Sequence, residues 1–189
     1  MHVKRDSSTK NKIASAMHDL VCRKSYTQIT IEDISAEVPV SRRTFYNYFT
    51  DKDEVIYYII YEQFMENAFP ICKIGMGPKG LTAFYNYIEK DRTFYLRLAK
   101  YENGHLLKDA LIRTYDRATE RVMEYARPVS NSEKRINPEI YKIYTHAAIA
   151  AVIVYWLDSG LKMSVEDIAR DTGLMMEHAH SFVRDRYLL

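Results

Sequence analysis

Polar side chains that could contact DNA cluster between Ser41 and Lys52 of the 189-residue chain. Arginine can pair with guanine and asparagine with adenine through two hydrogen bonds each, and threonine can contact the methyl group of thymine. Tyrosine hydroxyls and lysine ammonium groups suit phosphate oxygens, and such contacts position a protein on the duplex. We therefore assign base contacts to Arg42, Arg43, Thr44 and Asn47 and backbone contacts to Tyr46, Tyr48 and Lys52, and Thr30 completes the predicted DNA-binding set.

The spacing of the apolar residues predicts a short helix that would hold these side chains outward. Ser41 can cap the start of this helix. Phe45 and Phe49 lie four residues apart, so they share one helix face, which we expect to be buried. Arg43 and Asn47 would then point outward. A short helix that is apolar behind and polar in front suits the major groove of DNA.

Another helix is predicted immediately before the short helix that begins at Ser41. Thr30 is an N-cap candidate, and Asp33 three residues later could complete a capping box. The apolar residues Ile31, Ile34 and Val38 recur at helical spacing. Pro39 cannot continue the helix, because its nitrogen carries no hydrogen and its ring clashes with the preceding turn. The two segments together predict a helix-turn-helix.

The sequence VSRRTFYNYFTDKDEVI, preceded by TIEDISAEV, resembles the DNA-binding domain of TetR-type transcriptional regulators over about residues 9–58. This resemblance implies an all-α fold, with a three-helix DNA-binding domain followed by a helical bundle for effector binding and dimerisation. The chain departs from the family at Pro39, where glycine is usual because the turn favours a left-handed residue. Since proline cannot adopt positive φ, either the turn differs or the second helix is tilted.

The C-terminal region carries a second resemblance. Residues 155–164, YWLDSGLKMS, are similar to the subset of TetR-type regulators that includes regulators of dihydroxyacetone kinase operons. We predict nine helices, three plus six, and no strand. A DNA-binding domain spans 1–52, a connecting helix spans 51–70 and ends at Pro70, and an effector-binding and dimerisation domain spans 53–189. The other predicted helices are 9–24, 81–89, 91–101, 106–126, 139–159 and 165–186, with a loop over 73–80.

Charge and composition are compatible with a DNA-binding protein but do not require one. The net charge is +2 overall, and residues 1–52 contain nine Lys/Arg against six Asp/Glu. The basic excess therefore lies with the helix-turn-helix, as phosphate binding requires, although an ordinary solvated surface could show the same. The sequence has no signal peptide and no apolar run long enough for a membrane span, so we predict a cytoplasmic protein. Cys22 and Cys72 are expected to be reduced thiols.

An effector pocket is expected within the aromatic-rich body, by analogy with TetR-type proteins. Aromatic residues at helical spacing also form ordinary hydrophobic core, and this interpretation stays open for each residue. The candidate lining residues are Phe94, Leu98, Tyr115, Met123, His146 and Trp156.

The sequence predicts no metal site, no cofactor and no catalytic residue. The histidines are scattered, His178 and His180 are too closely spaced to converge on a helix, and we expect no cysteine near them. No nucleophile elbow, phosphate-binding loop or H-E-x-x-H motif occurs. Pairs of acidic residues fall in first helix turns, where capping explains them. The chain is therefore not expected to be an enzyme.

The last two helices are the predicted homodimer interface. Small and apolar residues allow helices to approach closely there, namely Ala147, Ala148, Ile149, Ala150, Ala151, Val152, Ile153 and Tyr155. The resulting prediction is a ligand-responsive repressor that binds a palindromic operator in double-stranded DNA. Two alternatives stay open: a TetR-like protein with altered DNA recognition that acts as a protein-binding co-regulator, and an activator.

Overall fold

The first three helices form a small bundle around one apolar core. The computed structural model describes residues 9–73, 77–123, 127–128, 137–184 and 187–188. Ile13, Met17 and Val21 of the first helix are fully buried against the helix-turn-helix, as their spacing predicts. A short 3-10 helix, Tyr26–Gln28, links the first helix to the second. The helices are α1 Thr9–Arg23, α2 Ile31–Glu37 and α3 Arg42–Tyr46.

Side-chain caps fix where the helices of this bundle begin. The Thr30 hydroxyl accepts a hydrogen bond from the Asp33 backbone at 3.1 Å, and the Thr30 backbone donates to the Asp33 carboxylate at 2.8 Å. The predicted capping box is therefore confirmed, and two of the free N–H groups at this end of α2 have partners. Ser41 caps α3 by accepting from the Thr44 backbone at 3.0 Å. Asp51 caps the following helix through the Glu54 backbone at 2.8 Å.

The turn between α2 and α3 is closed around Pro39. The backbone N–H of Val40 donates to the Val38 carbonyl with an N···O distance of 2.5 Å, so Pro39 is the central residue of a three-residue turn. Such an inverse γ-turn needs a negative φ, which proline has. This turn therefore accommodates Pro39 without a left-handed residue.

The fourth helix, α4 Lys52–Asn67, joins the DNA-binding bundle to the rest of the chain. Its buried residues Val55, Ile56, Ile60 and Phe64 serve both parts, since α4 packs against α1 on one side and α8 on the other. The prediction that this helix runs to Pro70 was wrong. Pro70 lies in the first turn of a separate short helix, α5 Phe69–Lys73, where a missing N–H leaves no hydrogen bond unmade.

The body consists of helices that pack in pairs, α6 on α10 and α8 on α9. The all-α fold class is confirmed, but the described residues form ten α-helices rather than nine, because α5 is separate. The predicted loop over 73–80 was wrong at Lys73 and over 77–80, which are helical, and residues 74–76 lie outside the described part. The remaining helices are α6 Gly77–Lys90, α7 Arg92–Lys100, α8 His105–Met123, α9 Pro138–Asp158 and α10 Val165–Arg184.

Two minor features complete the architecture. A two-residue antiparallel ladder pairs β1 Arg127–Pro128 with β2 Tyr187–Leu188, where the sequence predicted no strand. A left-handed turn ends at Gly104, whose φ is +76° and where an added Cβ would lie 2.7 Å from a Val154 methyl group, so only glycine fits. Among the described helices, none combines the length and the apolar character that crossing a bilayer needs.

Candidate nucleic-acid interface

The inner face of α3 is anchored by an aromatic pair. Phe45 is 0% and Phe49 is 3% exposed, and their ring centroids lie 5.9 Å apart. Phe49 also contacts Tyr58 of α4 in an edge-on arrangement, with centroids 5.6 Å apart. The predicted buried face is therefore confirmed, and its contacts fix how α3 is rotated about its own axis.

The outer face of α3 and of the residues just after it is exposed, except at Thr44. Tyr46 is 49% exposed, and Arg43, Asn47 and Tyr48 are exposed as well. Thr44 is half-buried, because its hydroxyl lies 2.9 Å from the Ser41 hydroxyl beside the helix cap. We call Arg42, Arg43, Thr44, Tyr46, Asn47 and Tyr48 the α3 surface.

The two arginines of the α3 surface have different surroundings. Arg42 Nη1 lies 2.6 Å from Glu32 Oε1 of α2, and both side chains are exposed. A hydrogen bond with Tyr46 and the charge of Glu32 raise the pKa of Arg42. Arg43 has no ion-pair partner within the part of the chain that the structure describes. Arg43 therefore presents a guanidinium group that no neighbouring carboxylate engages.

Lys52 faces inward, where the sequence predicted a phosphate contact. Its Nζ donates to the carbonyls of Tyr26 and Ile29 at 3.0 and 3.1 Å, and it lies 4.3 Å from the centroid of the Tyr26 ring. Burial lowers the pKa of this ammonium group. Lys52 thus holds the link between α1 and α2 against the start of α4, and its placement supports a structural role.

Thr30 likewise forms hydrogen bonds within the bundle. Its hydroxyl and backbone N–H both bond Asp33, whose carboxylate lies 2.7 Å from Lys24 Nζ. The hydrogen bonds from Lys24 and Thr30 lower the pKa of Asp33 to about 2. Thr30 is exposed at the start of α2, and it fixes the position of the helix that lies behind α3.

The predicted effector residues are all buried where the structure describes their side chains, but they do not line a single site. Phe94 stacks on His18 of α1, with ring centroids 4.7 Å apart. Trp156 packs edge-on against Tyr85 and donates from its indole to the Met163 carbonyl at 2.9 Å. Leu98 is fully buried on α7. Met123 ends α8, and its side chain lies outside the described part of the structure.

Tyr115 differs from the other buried aromatic residues because its hydroxyl has no hydrogen-bond partner among the described residues. Its ring contacts Phe64 edge-on, with centroids 5.2 Å apart, and lies 6.0 Å from the His146 ring. Burial raises the pKa of Tyr115 well above its usual range. Leaving a buried hydroxyl unbonded costs about 1–3 kcal/mol. The sequence identified Tyr115 but could not distinguish it from the other aromatic candidates.

His146 forms a polar cluster between α8 and α9. Its Nδ1 lies 2.5 Å from Asp116 Oδ1, and its Nε2 lies 3.1 Å from the Thr119 hydroxyl. Burial outweighs the effect of Asp116 and lowers the pKa of His146. The ring is therefore held at both nitrogens beside Tyr115.

His18 has a cysteine neighbour, so the expectation that no cysteine lies near a histidine was wrong. Cys22 follows His18 by one helical turn, and Asp91 from the α6–α7 junction lies 2.9 Å from His18 Nε2. Burial opposes charge on the ring, but Asp91 and Asp19 outweigh it and raise the pKa of His18. His178 and His180 lie in α10, and their side chains are outside the described part.

The predicted dimer helices expose an apolar strip. Ile149, Ala150 and Ile153 of α9 face the core, whereas Ala148, Ala151 and Tyr155 face outward. The predicted interface residues therefore divide between two faces, since a helix that packs on its own chain cannot bury its whole circumference. The large exposed apolar residues of α9 and α10 are Ile140, Ile143, Tyr144, Tyr155, Leu174 and Met175, and we call these six the α9–α10 strip.

Two protein-family models match the chain. The model described as "Bacterial regulatory proteins, tetR family" matches residues 13–59, which include α2, α3 and the start of α4. The C-terminal model of the TetR group, described as "Transcriptional regulator C-terminal region", matches residues 78–178, more than half of the chain. The two matches cover the bundle that carries the α3 surface and most of the body.

A curated relative is similar over part of the chain. The HTH-type dhaKLM operon transcriptional activator DhaS of Lactococcus lactis subsp. lactis (strain IL1403) is 28% identical over 98 residues. The match spans about half the length of that relative, 52%, and 52% of this chain.

Solved structures share the fold over nearly the whole chain. The dihydroxyacetone kinase operon activator DhaS is 20% identical with a TM-score of 0.54, covering 92% of this chain and 97% of that one. A structure from Syntrophomonas wolfei str. Goettingen, assigned to the TetR family, is 19% identical with a TM-score of 0.55 over 92% of this chain and 94% of its own. A TetR transcriptional regulator from Streptococcus agalactiae 2603V is 20% identical with a TM-score of 0.54, covering 88% and 92%.

Proposed function

The chain belongs to the TetR family of bacterial regulatory proteins, and on this premise we propose that it binds a palindromic operator in double-stranded DNA as a homodimer. The family consists of non-enzymatic DNA-binding regulators, which confirms the prediction that the chain is not an enzyme. In this proposal residues 1–52 bind DNA, residues 53–189 bind an effector and dimerise, and α4 connects the two. The protein would act in the cytoplasm, together with the DNA.

One observation carries the proposal: the α3 surface is exposed except at half-buried Thr44, while Phe45 of α3 and Phe49 just after it anchor the opposite side. In the proposed complex α3 lies in the major groove. Arg43 contacts guanine, Asn47 contacts adenine and Thr44 contacts a thymine methyl group. Arg42, Tyr46 and Tyr48 lie at the edges of the same surface, where base edges and phosphates are both within reach.

The exposure of the α9–α10 strip supports dimerisation through it. Tyr144 is 72% and Met175 is 76% exposed, and exposed apolar strips of several large side chains mark association surfaces. A two-fold axis through this strip would present two copies of α3 to one duplex. Two symmetry-related half-sites form a palindrome, so the operator symmetry would match the symmetry of the protein.

The effector site is proposed at the unbonded hydroxyl of Tyr115. A ligand with a hydrogen-bonding group would satisfy this hydroxyl, and Phe64, Phe84 and His146 would supply aromatic contacts. Binding of the effector would change the affinity for the operator. The size of this change equals the difference in effector affinity between two arrangements of the paired α3 helices.

The sign of regulation has two candidates. Repression is the function that the sequence predicts, and it requires only that the bound dimer block access to a promoter. Activation is supported by one observation, the description of the Lactococcus lactis relative as an operon activator. A reporter gene behind the upstream region, measured with and without the protein, distinguishes them: repression lowers the signal and activation raises it.

Binding to the upstream region of the chain's own gene, measured by fluorescence anisotropy at several salt concentrations, tests DNA recognition. We expect tight binding that weakens steeply as salt rises, because phosphate contacts release counterions. A scrambled duplex of equal length is the control. Equal affinity for both duplexes, or no binding at low salt, would favour the protein-binding co-regulator instead.

A further inference from the structure

A nitrogen, a sulfur and an oxygen ligand converge between α1 and the α6–α7 junction. The candidate ligand atoms of His18, Cys22 and Asp91 all lie within 4.8 Å of one another. His18 and Cys22 are four residues apart, so they lie on the same face of α1. We propose that these three residues bind a divalent cation of the zinc type.

The position of Asp91 supports a binding role. Asp91 occupies the N-cap position of α7, where an aspartate normally accepts a hydrogen bond from the helix, yet its side chain makes no cap bond. Its carboxylate instead faces His18, with oxygens 2.9 and 3.1 Å from Nε2. A hydrogen-bonded proton thus bridges the two groups at the position where a cation would bridge them.

Surrounding residues hold two of the three ligands, His18 and Asp91, in place, as the outer shell of a metal site does. His18 Nδ1 lies 3.3 Å from Asp19 Oδ1, so a carboxylate faces the nitrogen opposite to Nε2. Gln63 donates to Asp91 Oδ2 at 3.3 Å and accepts from the Tyr95 hydroxyl at 2.6 Å.

The mixture of ligands selects the class of cation. Mg²⁺ and Ca²⁺ prefer oxygen ligands alone, whereas Zn²⁺ accepts imidazole, thiolate and carboxylate in one tetrahedral site. Three protein ligands leave the fourth position to water. On binding, the cation takes the place of the proton on His18 Nε2 and of the thiol proton of Cys22, and both protons pass to solvent.

The charges around the cluster favour a divalent ion. With Cys22 as thiolate, the nearby negative groups are Cys22, Asp19 and Asp91, and the nearby positive group is Arg97. A divalent cation would make this set neutral.

The site would join the two parts of the chain. His18 and Cys22 lie on α1, which packs on the helix-turn-helix, and Asp91 belongs to the body. A bound cation would therefore restrict movement of the DNA-binding bundle relative to the body. Only this regulatory consequence rests on the proposed function, because metal binding is measured without DNA.

Titration of the full chain, free of any histidine tag, with Co²⁺ as a spectroscopic probe tests the site. We expect one equivalent to bind with a cobalt–thiolate charge-transfer band, and we expect Zn²⁺ to displace it and raise the melting temperature. Cys22→Ser should lose the band, and Asp91→Asn should weaken binding at least tenfold. Asp19→Asn, a change at an exposed side chain, should weaken binding by about 10–100-fold.

Cys72→Ser is the matched control and should retain both the band and the affinity. Absence of the band in the wild-type chain, or a Cys22→Ser variant that binds Co²⁺ as tightly as the wild type, would overturn the proposal. Circular dichroism of each variant identifies any loss that comes from misfolding. Asp19→Asn keeps the test decisive in that event, because an unchanged affinity in this exposed variant would also count against the site.

Discussion

Phe45 and Phe49 contact each other beneath α3, with ring centroids 5.9 Å apart, while the three residues between them are exposed. This arrangement connects the stability of the bundle to the surface that would meet DNA. A helix of five residues has few hydrogen bonds of its own, so the aromatic pair and the Ser41 cap hold it in place.

We expect Phe49→Ala to destabilise the protein by about 3–5 kcal/mol, because truncating a buried phenylalanine leaves a cavity. The free energy of unfolding from urea denaturation measures this. Tyr48→Ala is the control, and its exposed position predicts a change within about 0.5 kcal/mol. Equal losses in the two variants would show that Phe49 is not the anchor.

The capping box predicts an acidic pKa that can be measured directly. We expect Asp33 to titrate at about 2, because Lys24 and Thr30 donate hydrogen bonds to its carboxylate. Since this pKa is lower in the folded state than the ordinary value of 3.8, the stabilisation is present above pH 3.8 and is lost as pH falls towards 2. Carboxyl-carbon NMR measures the titration. Lys24→Met should raise the pKa, and a wild-type value near 3.8 would contradict the capping geometry.

Mutation of Lys52 distinguishes a structural role from the phosphate contact that the sequence predicted. We expect Lys52→Met to lower the free energy of unfolding by about 1–3 kcal/mol, because two carbonyls lose a charged donor. The salt dependence of DNA binding should keep its slope. Mutation of a phosphate-binding lysine would instead reduce the slope of log K against log salt by about 1. That result would support a phosphate contact for Lys52.

The α9–α10 strip predicts a dimer that one charge can disrupt. We expect Tyr144→Asp to give a monomer in sedimentation equilibrium, because an unpaired carboxylate would be buried at the interface. Thr93→Asp introduces the same charge on an exposed part of α7 and should leave the dimer intact. A wild-type chain that sediments as a monomer, or a Tyr144→Asp variant that stays dimeric, would exclude this interface.

The sequence predicted features that depend on neighbouring residues. Thr30 and Ser41 cap helices within three residues of themselves, and Phe45 and Phe49 are one helical turn apart. Such relationships are visible as spacing in the chain. The family resemblance, carried by the same segment, supplied the architecture that spacing alone did not determine.

The features that the sequence did not predict depend on residues that are distant in the chain. Lys52 bonds the carbonyls of Tyr26 and Ile29, and Asp91 meets His18 across 73 positions. No periodicity reports such contacts, because they arise only when helices pack. The break of α4 before Pro70 was not predicted either, and the short helix α5 that follows it packs on α6.

Recognition of bases by Arg43 and Asn47 is the central claim, and the double variant Arg43→Ala/Asn47→Ala tests it most directly. The control is Arg92→Ala/Asn86→Ala, which removes the same residue types from exposed positions on α7 and α6. Affinity for the upstream duplex is measured by fluorescence anisotropy at fixed salt. We expect the α3 variant to bind at least about 30-fold more weakly, since each bidentate base contact contributes about 1–3 kcal/mol, and we expect the control to match the wild type. Unchanged affinity in the α3 variant would contradict the account.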